Sequence, residues 1–410
     1  MARSVSTSWL GRSAGSLGRA AALALVLGLA GCMSGKVAEP PSSQQAPVAE
    51  GPPLAAPTSP VDSEELTGAV DDRIRVALLL PLSGPNSKLG EALLHGAEMA
   101  LFDTADDRFS LIVKDTGGDP DGARRAAEAA VAEGARMILG PLFGQQVAAA
   151  GPVARTAAVP LVSFSTDLNV SGDGVWVMGI LPRIQVQRVV GYTSSRGLRR
   201  IAVLAPASPY GDAVVNALYQ SAARTGAAIG AIQRYAPEET KLSPLVTALG
   251  SEMDAVLLPE GGNRVRVLAP LLAYHDIDPA KVKFLGTALW DDPTLGAEPT
   301  LIGGWFAAPE PGPWANFAAR YREFYAEAPP RLASLGYDGT ALASVLARSP
   351  SGPDFSPETL TQPNGFAGID GIFRLTADGG VERGLAVLEV RREGPVVIDP
   401  APKTFEELGF

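Results

Sequence analysis

The sequence predicts an α/β fold made of parallel sheets flanked by helices, on three observations. The folded region opens with a strand–loop–helix unit, Val76–Asp103, and units of the same construction recur in two series along the chain. The C-terminal stretch instead breaks into short apolar runs between glycines, the pattern of antiparallel pairing. A strand that delivers a polar, glycine-containing loop to the start of a helix is the unit from which open α/β sheets build ligand clefts.

In the opening unit, Val76–Leu80 is a continuous apolar run, suited to a strand buried on both faces. Pro81 and the Ser83-Gly84-Pro85 cluster end it. From Leu89, apolar side chains recur at Leu93, Leu94, Ala97, Ala100 and Leu101 as a helical stripe. Ser110–Lys114 is the next strand, and the turn cluster Asp115–Asp121 (DTGGDPD) supplies a cap for the helix Gly122–Glu133. Arg136–Leu139 and Pro160–Phe164 are the third and fourth strands, followed by the loops Gly140–Gln146 and Ser165–Asp167. Strands and helices alternating at this spacing imply a parallel sheet with right-handed crossovers.

The second series runs through strand Arg200–Pro206, loop Ala207–Asp212, helix Ala213–Thr225, strand Ala228–Tyr235 and helix Leu242–Gly250. It continues with strand Asp254–Pro259, helix Asn263–His275 and strand Lys283–Gly286. Trp305–Pro309 leads back to the first series. Trp314–Ala328 reads as a helix with Phe317, Tyr321, Phe324 and Tyr325 on a packed face, and Ser334–Leu346 as a helix of small residues. The tail Gly365–Pro400 reads as terminal antiparallel strands.

The bulk properties bound the function. The chain has 410 residues, enough for one large or two moderate domains, and 46% hydrophobic against 19% charged residues supports a sizeable core. A net charge of −10 with no basic run excludes nucleic acid as the main partner. One cysteine permits no intramolecular disulfide and no multi-cysteine metal site. That cysteine ends Leu29-Ala30-Gly31-Cys32, directly after the apolar run Ala20–Leu29, which is of signal-peptide length. The tetrapeptide is similar to the bacterial lipobox, so residues 1–31 are expected to be a signal peptide and Cys32 the acylated first residue of the mature chain. Two or three acyl chains at one residue give stable anchoring. Met33, where an aspartate would favour inner-membrane retention, leans the expectation towards the outer membrane. Residues 32–72, rich in Pro, Ala, Ser and Glu, read as a disordered tether.

No GxSxG elbow, P-loop, HExxH or paired-cysteine motif is present, so neither catalysis, a metal nor a cofactor is expected. His95 and His275, the only histidines, read as helix-surface or packing residues. Asp115, Asp119 and Asp121 lack the rest of a calcium-loop pattern and read as capping residues.

Four segments together carry a family resemblance: VALLLPLSGPNSKLGEALLHGAEMAL, DTGGDPDGARRAAEAAVAEGARMILGPLFGQQ, IAVLAPASPYGDAVVNAL and GFAGIDGIFRL. From about Arg73 to Pro400 the chain resembles the leucine/isoleucine/valine-binding branch of type I periplasmic binding proteins. Within it, ALLLPLSG and the GPL after a strand, on a lipoprotein, look most like the penicillin-binding-protein activators. The resemblance implies a two-lobed type I fold, each lobe a parallel sheet flanked by helices, with three crossovers and ligand held between the lobes. It sets the first lobe at 73–190 plus 308–355 and the second at 191–307 plus 356–410.

Carried over residue by residue, the resemblance gives a mixed cleft. In amino-acid-binding relatives the loop after the third strand offers a small hydroxyl residue to the ligand carboxylate; Gly144 falls there, with Gln145 next. The loop after the fourth strand places Ser165 and Thr166 at the ligand, but Asp167 stands where a threonine would be, and an ionised aspartate repels a carboxylate. Ser83 joins the cleft set from the first loop. In the second lobe Tyr210, before Gly-Asp, matches the family aromatic, and either faces the cleft or stabilises its turn. The acid that pairs with a ligand ammonium would fall at Ala288, with Glu260 or Asp291 as replacements, and an ammonium buried without a counter-charge is costly. The altered cleft and the lipidated tether favour a non-enzymatic envelope lipoprotein that activates a peptidoglycan synthase by contact. The alternative is an ABC-transporter receptor that passes an amino acid or related small molecule to a permease.

Overall fold

The computed structural model describes residues 72–406, all within one contact unit, Gly68–Phe410. Cys32 and the signal-peptide and tether segments lie outside the described residues. The first half runs β1 (Ile74–Leu80), α1 (Ser87–Thr104), β2 (Phe109–Asp115), α2 (Pro120–Ala132), β3 (Met137–Leu139), α3 (Gly144–Thr156), β4 (Leu161–Ser163) and β5 (Val175–Val177). Its strands form one parallel sheet in the order β2-β1-β3-β4-β5. β1 is buried on both faces, as its unbroken apolar run requires: Val76, Leu78 and Leu80 pack into one core and Ala77 and Leu79 into the core under α2 and α3. A fully buried leucine contributes about 1.5–3 kcal/mol through the surface it removes from water. Asp119 caps α2, its Oδ1 accepting from Gly122 N at 2.7 Å, with Pro120 preset at the first helical position.

The chain then crosses to α4 (Pro182–Ser195), β6 (Arg200–Pro206), α5 (Pro209–Thr225), β7 (Ala228–Tyr235), α6 (Ser243–Leu249), β8 (Ala255–Leu257), α7 (Gly262–Tyr274), β9 (Lys283–Gly286) and β10 (Trp305–Ala308). It returns through α8 (Pro311–Tyr325), α9 (Ala333–Ala347) and α10 (Pro357–Leu360) to the short strands β11 (Phe366–Gly368), β12 (Gly371–Leu375) and β13 (Val381–Arg383). A last crossing ends in β14 (Ala386–Glu389) and β15 (Val396–Asp399). The second sheet has the order β15-β14-β10-β9-β8-β6-β7, with β14 and β15 added antiparallel at one edge. β11–β13 form a separate antiparallel sheet, tied to β5 by Val177 N donating to Gly379 O (2.9 Å) and Trp176 Nε1 donating to Thr376 O (3.1 Å). This is the two-lobed type I periplasmic-binding-protein fold, with three passages of the chain between its sheets.

α8 and α9 return to the first lobe and pack on α1. A Cβ on Gly96 would lie 2.1 Å from Ala333 O, and one on Gly336 2.0 Å from Leu93 O, so only glycine lets α1 and α9 approach this closely. The aromatic face expected on α8 is present at Phe317 and Tyr321, both buried, but Phe324 is 63% exposed and lies outside that packed face. His95 packs, stacking on Tyr325 at 3.8 Å and sharing a 2.8 Å hydrogen bond with the Tyr321 hydroxyl.

Candidate ligand-binding cleft

The loops at the carboxyl ends of the first-lobe strands are tied by their own polar side chains. Asp115, closing β2, accepts through Oδ1 from the backbone N–H of Leu82 (2.9 Å), Ser83 (3.2 Å) and Gly117 (2.8 Å). Burial pulls the Asp115 pKa up, but these bonds and the Ser83 hydroxyl together hold it below the usual carboxylate range. Ser83 is thus engaged in fixing its loop. Ser165 is buried within the next loop: its N–H donates to Ser163 Oγ (2.9 Å) and its Oγ accepts from Asp167 N (3.1 Å). Thr166 is exposed beside it and Asp167 half-buried. Asp167 Oδ1 accepts from Asn169 N (3.0 Å) and Nδ2 (2.8 Å), and its Oδ2 lies against the first residue of α3. A Cβ on Gly144 would meet that oxygen at 2.7 Å, so glycine there makes room for the carboxylate. Gln145 is exposed, while its neighbour Gln146 is buried and donates through Nε2 to Thr116 Oγ1 (3.2 Å).

The facing wall comes from the second lobe. Ser208 caps α5, its Oγ accepting from Gly211 N at 3.2 Å, which places Tyr210 in the first helical turn. The Tyr210 hydroxyl donates to Thr287 Oγ1 at 2.8 Å. Burial pushes its pKa up to about 12, helped by the charge of Glu260 and opposed by the Thr287 bond, so Tyr210 is a neutral hydroxyl at physiological pH. Glu260 accepts from the Tyr235 hydroxyl, and its backbone oxygen accepts from Trp290 Nε1 (2.9 Å). Ala288 N donates to Gln185 Oε1 (2.8 Å), while Gln185 Nε2 donates to Ile180 O (2.9 Å), so a buried amide on α4 fastens the loop after β9 to the first passage. Burial raises the pKa of Asp291 against the pull of Arg331, 3.9 Å away; Arg331 starts the α9 segment and also lies 3.0 Å from Asp370 Oδ1.

Between these walls lies a cavity of about 640 Å³, lined by Thr166 and Asp167 from the first lobe, Arg183 at the start of α4, and Tyr210, Asn216 and Gln220 on α5. It unites three of the residues singled out from sequence: Thr166, Asp167 and Tyr210. Ser83, Gly144, Gln145, Ser165 and Glu260 do not line it. Arg183, Asn216 and Gln220 were not legible as cleft residues, since nothing local distinguishes them from solvated helix positions. A larger cavity, about 750 Å³, lies at the amino-terminal ends of β3, β4 and β5 and holds none of the candidates.

Where the passages meet, a charged cluster is sealed from water. Arg383, 2% exposed, lies 3.7 Å from Asp338 Oδ2 through Nη1 and donates to Asp370 O (3.4 Å) and Met178 O (3.2 Å). Asp338 Oδ1 accepts from Ile369 N at 2.7 Å, and Asp370 Oδ2 accepts from the Ser334 hydroxyl at 2.6 Å. Burial, then the charge of Asp370, pushes the Asp338 pKa from 3.8 up to about 7, with Arg383 pulling the other way. Folding therefore takes up a proton between those values. The contribution of this group to stability is full below about pH 4 and is lost as pH rises towards 7. Asp338→Asn, which keeps an acceptor for Ile369 N, is expected to flatten that part of the profile when urea unfolding is compared at pH 5 and pH 8.

The sequence pattern of the family described as "Periplasmic binding protein" matches residues 73–395. The chain belongs to that family. Its members are non-catalytic solute-binding proteins, and among the described residues no group of three His, Cys, Asp or Glu is placed to hold a metal. The fold is similar to a putative branched-chain amino acid ABC transporter protein of Rhodospirillum rubrum (TM-score 0.71, 20% identity, 80% of this chain and 100% of that one). It is also similar to a branched-chain amino acid binding protein of Streptococcus pneumoniae solved with isoleucine (TM-score 0.57, 19% identity, 80% and 100%). A third likeness is to a solute-binding protein of Rhodopseudomonas palustris solved with 3,4-dihydroxybenzoic acid (TM-score 0.60, 17% identity, 82% and 97%). An uncharacterized protein of Rickettsia prowazekii is 20% identical over 216 residues, a match spanning 53% of this chain and just over half, 56%, of that protein.

These likenesses correct the functional expectation. They run to transport-type binding proteins, and the reading as a penicillin-binding-protein activator that regulates peptidoglycan synthesis is overturned. The peptidoglycan-synthase partner, which belonged to that reading, falls with it. The physical reason is that the motifs quoted for the subgroup, ALLLPLSG and GPL, build β1 and the loops that follow β1 and β3, so they report the fold and not a partner. No helix among the described residues is long and apolar enough to cross a membrane.

Proposed function

We propose that this protein is the substrate-binding receptor of an ABC transporter, taking an amino acid or related small molecule between its lobes and presenting it to a permease. The observation that carries the reading is the 640 Å³ cavity, in which loop residues after β4 face Tyr210 on α5 across the two lobes. Its size suits a small ligand enclosed by hinge closure. The test is a thermal-shift screen of the purified protein against amino acids and small carboxylic acids, with calorimetry on the hits. A ligand at a hundred times its dissociation constant is expected to stabilise the fold by about 2.7 kcal/mol. Tyr210→Ala should weaken that ligand at least tenfold while leaving a folded protein. A screen in which none of these compounds binds overturns the reading.

We also propose that Cys32 carries the acyl anchor, on the lipobox-like Leu29–Cys32. The intact mass of the envelope-bound protein reads this directly: an unmodified Cys32, or an N-terminus elsewhere, refutes it.

A further inference from the structure

Two opposite charges, Asp167 and Arg183, line the cavity, each without an ion-pair partner among the described residues. Asp167 Oδ1 is engaged by Asn169, but Oδ2 has no hydrogen-bond partner among the described residues, and Asp167 makes no salt bridge there. It occupies the space over the start of α3, a helix N-terminus that would otherwise favour an incoming anion. Arg183, on the first turn of α4, likewise makes no hydrogen bond or ion pair among the described residues, and its Nε is buried without a partner there. Asp378, the charge that senses Arg183, is itself held by the Thr376 hydroxyl and Gly380 N. The remaining lining groups named above, Thr166, Tyr210, Asn216 and Gln220, are uncharged.

We propose that the cavity takes a small zwitterion with its cationic group on Asp167 and its carboxylate on Arg183. This rests on the receptor reading and adds to it a ligand class and an orientation. A carboxylate placed at the first-lobe loop would meet the charge of Asp167, while Ala288 brings no charge of its own to the second-lobe wall and Glu260, engaged by the Tyr235 hydroxyl, does not line the cavity. Both side chains are half-buried, so closure of the lobes around a ligand would desolvate two charges that the ligand itself can pair. The bidentate geometry of a guanidinium makes Arg183 the natural seat of the carboxylate.

The experiment is calorimetry on the wild type, Asp167→Asn and Arg183→Gln. The probes are the proteinogenic amino acids with 4-aminobutyrate and 5-aminovalerate, followed by the amide and the deaminated analogue of the tightest binder. Asn keeps an acceptor for Asn169 N, and a thermal unfolding scan without ligand checks that both variants are folded. The proposal expects Asp167→Asn to weaken the zwitterion at least tenfold while leaving the deaminated analogue unaffected. Arg183→Gln should weaken it similarly while leaving the amide unaffected. If Asp167→Asn tightens binding or leaves it unchanged, the carboxylate sits at the first-lobe loop or the ligand lies elsewhere; the orientation is then wrong although the receptor reading stands. If no probe binds any of the three proteins, both the orientation and the receptor reading are refuted.

Discussion

Arg383→Met is expected to cost about 3–5 kcal/mol of folding stability, the loss typical of removing one partner from a buried charged group. The side chain is sealed, and its nearest carboxylate, Asp338, has no route to water. Arg383 also holds the backbone oxygens of Met178 and Asp370, so it links the first passage between lobes to the β11–β12 turn. Without it Asp338 must protonate or stay charged without compensation, and the deficit should grow as pH rises through 7. Urea unfolding at pH 8 measures the loss. The double variant Arg383→Met/Asp338→Asn should recover part of it, since the two sites share one interaction. A single-variant loss below about 1 kcal/mol, or strictly additive effects, would show that the cluster is not a structural ion pair.

Trp290→Ala is expected to cost a similar amount, about 3–5 kcal/mol, as a fully buried large side chain truncated in a core that cannot collapse around it. The indole lies on two glycines: a Cβ on Gly286 would sit 2.1 Å, and one on Gly304 2.7 Å, from its ring. Its Nε1 holds the Glu260 carbonyl, and it follows Thr287, which receives the Tyr210 hydroxyl. The same change should therefore loosen the second-lobe wall of the cleft and weaken ligand binding as well as stability. Trp290→Phe restores most of the volume but leaves the Glu260 oxygen unpaired, and should lose less than half as much. Equal losses in the two variants would mean that the hydrogen bond, not the volume, carries the effect.

The elements were legible where the local pattern is strong. Val76–Leu80 is apolar without a break because both faces of β1 are covered, and Asp119-Pro120 announces α2 because a capping carboxylate and a preset φ act within one turn. β5 and α4 were not read. β5 is only three residues, Val175–Val177, and α4 carries Arg183, Gln185, Gln187 and Arg188 among its apolar positions, so neither shows a clear period. Yet α4 supplies both Gln185, which ties down the Ala288 loop, and Arg183, which lines the cavity.

Sequence alone determined the α/β class, the two series of units and the antiparallel tail, because periodicity, caps and turn residues act over a few positions; the family came from the resemblance of four segments, and its subgroup was misassigned. Thr166, Asp167 and Tyr210, singled out from sequence, line one cavity, whereas Ser83, Gly144, Gln145, Ser165 and Glu260 do not. What that cavity presents was decided only by tertiary structure. Asp370 and Arg383 are brought together by the antiparallel sheet β11–β13, and Asp338 on α9 joins them only through tertiary packing. Asp167 reaches Gly144 only because β3 and β4 pair in parallel and bring their following loops side by side. Burial and charge pairing are properties of that assembled environment, and no local stretch of sequence encodes which charges end up sealed together and which are left facing the cavity.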